Sequence, residues 1–351
     1  MKKKILKFLT GVLVSCALAG SSAAVYAEDE GNLIDMVANE GGESEGNMVK
    51  SYLTGENVPE SIGRRRPIAF MMGNDINGAP QSGIGNAGVV YEAPVEGGIT
   101  RLMSIIEDYD SLEKIGSVRS CRDYYLYYAN EFNAVYAHYG QAAYALPFLE
   151  QHVIDNLNGL NLGNTYFRTS DRQAPHNAYT NAEYLAQGIA SLGYSQSYKP
   201  EYTGHYVFAA DGTETMLETG TAANVVRLDN FSDNHPWFEY NAETKKYSRF
   251  QFGGAHVDEL TGQQLTCDNI ILQYSSYQPY DQNGYLNVDT ISGGQGKFIT
   301  RGKAVDIRWE KDAVWGVTHY YDGSEQEIQL NPGKTWVEIV QNDKIGSVTY
   351  Q

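Results

Sequence analysis

Cysteine is scarce, with three residues in a chain of 351. So few thiols rule out a disulfide framework and a four-cysteine zinc site. Basic residues are also few: 26 Lys and Arg face 43 Asp and Glu, a formal charge of -17. Such a chain repels nucleic acid and anionic lipid, so no nucleic-acid partner is expected. Beyond the N-terminal segment no apolar run approaches the ~20 residues a helical membrane span needs. Walker A, GxGxxG, GxSxG and HExxH patterns are all missing. The placing of His138 and His176 is not diagnostic of a metal site. No cofactor or metal is expected, and no catalytic residue can be named.

Apolar residues are not scarce, at 42%. They suffice for real cores, and the length points to about two domains. Residues 1–27 read as a secretory signal peptide. Four lysines lie within Met1–Lys7, an apolar run follows from Phe8 to about Leu18, and Val25 and Ala27 suit cleavage. Leu13-Val14-Ser15-Cys16 offers a lipobox as the alternative, but the apolar run before Cys16 is short, which favours cleavage after Ala27. Removal of the four lysines leaves 22 basic against 43 acidic residues. The protein is expected outside the cytoplasm, secreted or envelope-associated, touching a membrane only through a signal or lipid anchor. Cys121 and Cys267 are expected as two buried thiols.

Residues 28–60 hold nine acids and one lysine, and are expected as a solvated leader. Residues 61–200 alternate strand-like and helix-like stretches, the pattern of a mixed α/β domain. Strands are predicted over 66–72, 88–95 and 100–107, the last two as a hairpin. Helices are predicted over 121–132 with Ser120 as cap, over 141–152 with a bend at Pro147, and from Thr180, as cap, to about Leu192. Residues 201–351 turn β-rich, with eight strand-like runs and clear turns at Asn283-Gly284, Asp322-Gly323 and Asn331-Pro332-Gly333. That pattern predicts a β-sandwich or partly closed barrel.

The basic residues are unevenly typed. Residues 61–200 carry eight Arg and two Lys, whereas 201–351 carry four Arg and seven Lys. Arginine suits planar, bidentate contact with carboxylate or phosphate. The candidate ligand-binding residues are Glu96, Arg101, Arg119, Arg122, His138, Arg168, Arg172, His176 and Asn177. At least four of Arg101, Arg119, Arg122, Arg172 and His176 are expected to meet near strand ends. Structural ion pairs and satisfied core histidines are the competing explanations for the same residues.

Three segments carry a family resemblance: Val89-Val90-Tyr91-Glu92 with Val95-Glu96-Gly97-Gly98-Ile99-Thr100-Arg101; Lys114 to Ser120 with Arg122; and Arg172 with Ala174-Pro175-His176-Asn177 and Tyr179-Thr180. Together they resemble the YerB-like lipoprotein family of Gram-positive bacteria, domain of unknown function 3048. Tyr247-Ser248-Arg249, Gly293 to Lys297 and Leu330 to Trp336 resemble its companion C-terminal domain. The resemblance implies a two-domain envelope protein and supplies no reaction. Two functions are weighed. One is binding of a phosphorylated or carboxylated wall or lipid-linked component. The other is a non-enzymatic adaptor docking an envelope protein, such as a cell-wall enzyme, through the β-rich domain.

Overall fold

The computed structural model describes residues 47–351. The signal segment, Cys16 and the leader up to residue 46 lie outside them. Residues 47–60, expected within the solvated leader, are folded. Met48–Lys50 pairs with Asn57–Pro59, the single turn α1 spans Glu60–Gly63, and Leu53 is fully buried. Acidic composition misled here because a few apolar side chains, Leu53 foremost, anchor this stretch.

A central sheet of eleven strands dominates. In chain order they are β1 Ile68–Asn74, β2 Val89–Pro94, β3 Thr100–Ile106, β4 Val135–His138, β5 Asn156–Asn158, β6 Thr221–Ala222, β7 Asn269–Ser275, β8 Gly294–Thr300, β9 Lys303–Lys311, β10 Thr318–Tyr321 and β11 Thr335–Gln341. Across the sheet the order is β6-β9-β8-β7-β11-β2-β3-β1-β4-β5, with β10 also beside β9. The sheet is open. Its left half comes from the C-terminal region and its right half from the N-terminal region. They join where β2 and β11 pair in parallel, Val89 opposite Thr335 and Glu92 opposite Glu338.

Alternation along the strands explains the two cores. Ala69, Met71, Tyr91 and Met103 face helix α2 (Asp123–Glu131), whose Tyr124, Tyr125 and Tyr128 are buried against them. Ile68, Phe70, Met72 and Leu102 face the opposite way, toward α4 (Ala182–Leu192) and a second, six-stranded antiparallel sheet. With both faces covered, β1 is apolar or buried along its whole length. The second sheet, with Val225–Leu228, Trp237–Asn241 and Lys246–Gln251 as its middle, makes the C-terminal region two-layered and unclosed. Cys121 and Cys267 are free and buried.

The ends of α2 and α4 differ from expectation by a residue or two, and the helix expected over 141–152 is the much shorter Leu146–Glu150. Arg122, not Ser120, precedes α2, and Ser120 Oγ donates instead to the Tyr139 carbonyl. Asn181, not Thr180, caps α4, its side chain accepting from the Tyr184 amide. Pro147 does not bend a long helix. It sits in the first turn of the short α3, Leu146–Glu150, where a missing N–H costs nothing.

A buried polar network fastens the seam between β2 and β11. Glu92 accepts from Asn74 Nδ2 at 2.9 Å, Thr100 Oγ1 at 2.6 Å and Asn234 Nδ2 at 2.7 Å, and it pairs with Arg249. Arg249 is fully buried and lies 4.1 Å over the Trp336 ring. It donates to His256 Nδ1 at 2.9 Å; a guanidinium only donates, so His256 Nε2 carries the proton and donates to Gln81 Oε1 at 2.6 Å.

Candidate functional site

Strands β1, β2 and β4 run parallel and end at Asn74, Pro94 and His138, while antiparallel β3 begins at Thr100 between the first two. These ends form one rim, the edge where open α/β sheets place ligands. Residues 117–121 cross it. The Gly73 amide donates to Ser117 O at 3.0 Å, the Arg119 amide to Met71 O at 2.7 Å, the Tyr139 amide to Arg119 O at 2.9 Å and the Cys121 amide to Gly140 O at 2.9 Å. The arginines of this segment are therefore carried on a pinned backbone. Gly73 makes room for one of them: a Cβ there would stand 3.2 Å from Cγ of Arg119.

Arg119 NH1 donates to Nδ1 of His176 at 2.8 Å. The acceptor must be a lone pair, so Nε2 of His176 carries the proton. Asp75 stands 3.7 Å from Arg119 NH1 and 3.3 Å from His176 Nδ1. Burial, joined by Arg119 and Arg172 against the pull of Asp75, holds His176 below the ordinary imidazole value. Burial, and then the neighbouring Arg101, lowers Arg119 to about 10, so it is charged at neutral pH.

Arg101 is 5% exposed and donates from NH1 to the Ser120 carbonyl. Among the described residues no carboxylate lies within ion-pair distance of it. Its pKa is lowered, by burial first. Arg122 shares the Ser120 carbonyl at 3.2 Å, donates to Cys121 O at 2.9 Å and forms a two-bond pair with Glu96. Arg168 donates to Asn177 Oδ1 at 2.7 Å and lies 4.7 Å over the Tyr139 ring. Asn177 is buried and donates in turn to Thr169 O at 2.8 Å.

Arg101, Arg119 and Arg122 thus meet on one segment, with His176 against Arg119 and the Arg168–Asn177 pair on the same loop as His176. Arg172 is spent differently. It donates to the carbonyls of Gly78 at 2.8 Å and Pro80 at 3.0 Å and pairs with Glu259 at 3.3 Å, locking that loop to the loop after β1. His138 is a correction. It is fully buried, with Nδ1 donating to Gly140 O at 2.8 Å and Nε2 lodged 3.2 Å from Asn156 Oδ1, so burial keeps the ring from a ligand. Burial lowers its pKa. An open cleft of about 440 Å³ lies beside His176, lined also by Asn77, Asp171 and Gln173. Sequence reasoning missed Asp75 and Glu259. Asp75 directly follows β1 and reads as a turn residue, and nothing in sequence ties Glu259 to Arg172. Among the described residues no group of three or more His, Cys, Asp and Glu is placed to hold a metal.

The fold and rim define a class: an open two-region sheet protein with arginines gathered at the ends of its N-terminal strands. Residues 53–195 match the N-terminal domain, and residues 225–337 the C-terminal domain, of the protein of unknown function family DUF3048. The chain belongs to that family. It is 30% identical over 305 residues to YerB of Bacillus subtilis (strain 168), described as a candidate lipoprotein, covering 86% of this chain and 89% of that protein. The crystal structure of YerB from Bacillus subtilis superposes with a TM-score of 0.76 at 28% identity, covering 86% of this chain and 99% of that one. No helix among the described residues is long and apolar enough to cross a membrane.

Proposed function

We propose that the rim binds an oxyanion, a phosphate or carboxylate group of an extracytoplasmic envelope component. One observation carries this reading: Arg101 is buried beside Arg119 with no carboxylate of its own among the described residues. A desolvated guanidinium without a counter-charge is costly, and a bound anion offsets that cost. Arg119 and the Nε2–H of His176 add donors suited to anion oxygens. The local charge is positive in a chain that is otherwise strongly acidic.

Thermal unfolding with inorganic phosphate tests it. Phosphate at ~100 times its dissociation constant should stabilise the protein by about 2.7 kcal/mol. Arg101→Met should abolish that shift while raising the melting temperature of the ligand-free protein, because an uncompensated buried charge is replaced by an apolar side chain. No phosphate shift in the wild type, or a ligand-free Arg101→Met protein that melts lower, would sink the reading. A second reading, the adaptor, is favoured by the pairing of Arg122 with Glu96 and Arg172 with Glu259, which leaves those arginines structural.

A further inference from the structure

A second cleft, of about 380 Å³, opens beside the rim. Its polar lining holds four carboxamides, from Gln141, Asn156, Asn158 and Asn161, with Glu150 and His152 beside them, over an apolar floor that includes Leu149 and Leu162. Carboxamides offer donors and acceptors without charge. Asn158 Nδ2 donates to Gln141 Oε1 at 3.1 Å, and Asn158 Oδ1 accepts from the Leu160 amide at 3.0 Å. Gln141 Nε2 and the Asn161 side chain have no partner of their own among the described residues. Paired hydroxyl groups above C–H faces match such a lining: the amides take the hydroxyls and the leucines take the carbon face.

This cleft and the arginines share one piece of backbone. The Ala142 amide donates to Cys121 O at 3.0 Å, and Cys121 and Gln141 are bridge partners. Chains paired in this way lie about 4.8 Å apart. Over Tyr139 sits the guanidinium of Arg168, which has no carboxylate within ion-pair distance among the described residues.

Resting on the anion reading, we propose that the rim and the amide-lined cleft are one site for a saccharide carrying an anionic substituent, its ring held by Gln141 and Asn161 and its oxyanion by Arg168 and the rim arginines. An extended peptide fits less well. The outer edge of β5 is closed to strand addition, because Tyr194 OH bonds both the amide and the carbonyl of Asn156 at 3.3 Å, and the Asn158 carbonyl accepts from the amides of Asn161 and Leu162 at 3.0 Å.

Titration calorimetry of the whole protein with glucose 6-phosphate, glucose and inorganic phosphate tests the proposal. Glucose 6-phosphate should bind at least ten-fold more tightly than phosphate or glucose. The double variant Gln141→Leu/Asn161→Leu should lose that ten-fold gain and keep its phosphate affinity, which also reports that it is folded. Arg168→Ala should weaken both anions several-fold. Phosphate binding with no gain from the sugar would overturn the saccharide proposal and leave the anion reading standing. Glucose binding as tightly as its phosphate, in wild type and in Arg168→Ala alike, would overturn the single site. Failure of both anions to bind would overturn the proposal together with the reading beneath it.

Discussion

The two ends of β3 each bury a side chain that would rather be charged in water. Arg101 stands at the rim end, and Glu107 just past the other. Glu107 accepts from Ser51 Oγ at 2.5 Å, its second oxygen has no partner, and burial first of all pushes its pKa up to about 7. A carboxyl whose folded pKa is raised costs stability once it must ionise. Stability should therefore fall as pH rises from the ordinary carboxylate range, near 4.5, to about 7, by roughly 3 kcal/mol. Denaturant midpoints between pH 4 and 8 should show that decline in the wild type, and Glu107→Gln should flatten it. An unchanged slope in the variant would assign the decline elsewhere. At this scale the sequence was legible in type and illegible in pairing. Arginines stood out because the chain is so acidic, yet Asp75 and Glu259, which neutralise Arg119 and Arg172, gave no local sign. His138 ends a strand covered on both faces, where alternation no longer separates inside from outside.

Elements were read better than their ends. β-Branched and aromatic runs located β2, β3 and β7, and β10 was anticipated residue for residue. Caps slipped because neighbouring Thr180 and Asn181 both suit the role, and the tertiary contact decided between them. Thr180 Oγ1 donates to Thr165 O at 2.7 Å inside the short strand Ala178–Thr180, so Asn181 is left to cap α4. Asn181→Ala should cost about 1 kcal/mol, with Asn181→Ser close to wild type. A thermal melt of the three proteins checks this, and equal losses in both variants would point to packing in place of the cap. The leader failed for a related reason: composition averages over a window, and Ser51 and Leu53 are held by contacts with distant residues.

At the scale of the molecule, two sequence regions with different character share one sheet, and no periodicity reveals which strands meet at the junction. The network around Glu92 and Arg249 supports that junction from within. Arg249→Ala leaves Glu92 buried without its partner and should cost about 3–5 kcal/mol in urea unfolding. Arg249→Met combined with Glu92→Gln should recover part of the loss, since it removes the orphaned charge. A combined variant no better than Arg249→Ala would show that shape, not charge, sets the cost.

The pairing of β2 with β11 also orders events in time. Residues 89–92 must wait for residues 335–338, far along the chain, and contacts so distant in sequence form slowly. Until the last strand arrives, Val89-Val90-Tyr91-Glu92 is a bare sheet edge of the kind that recruits other chains. A chain that ends before Thr335, through early termination or proteolysis, would keep that edge open for good. Of the central sheet's strands β11 is the last to be made, and it is what closes the middle of that sheet.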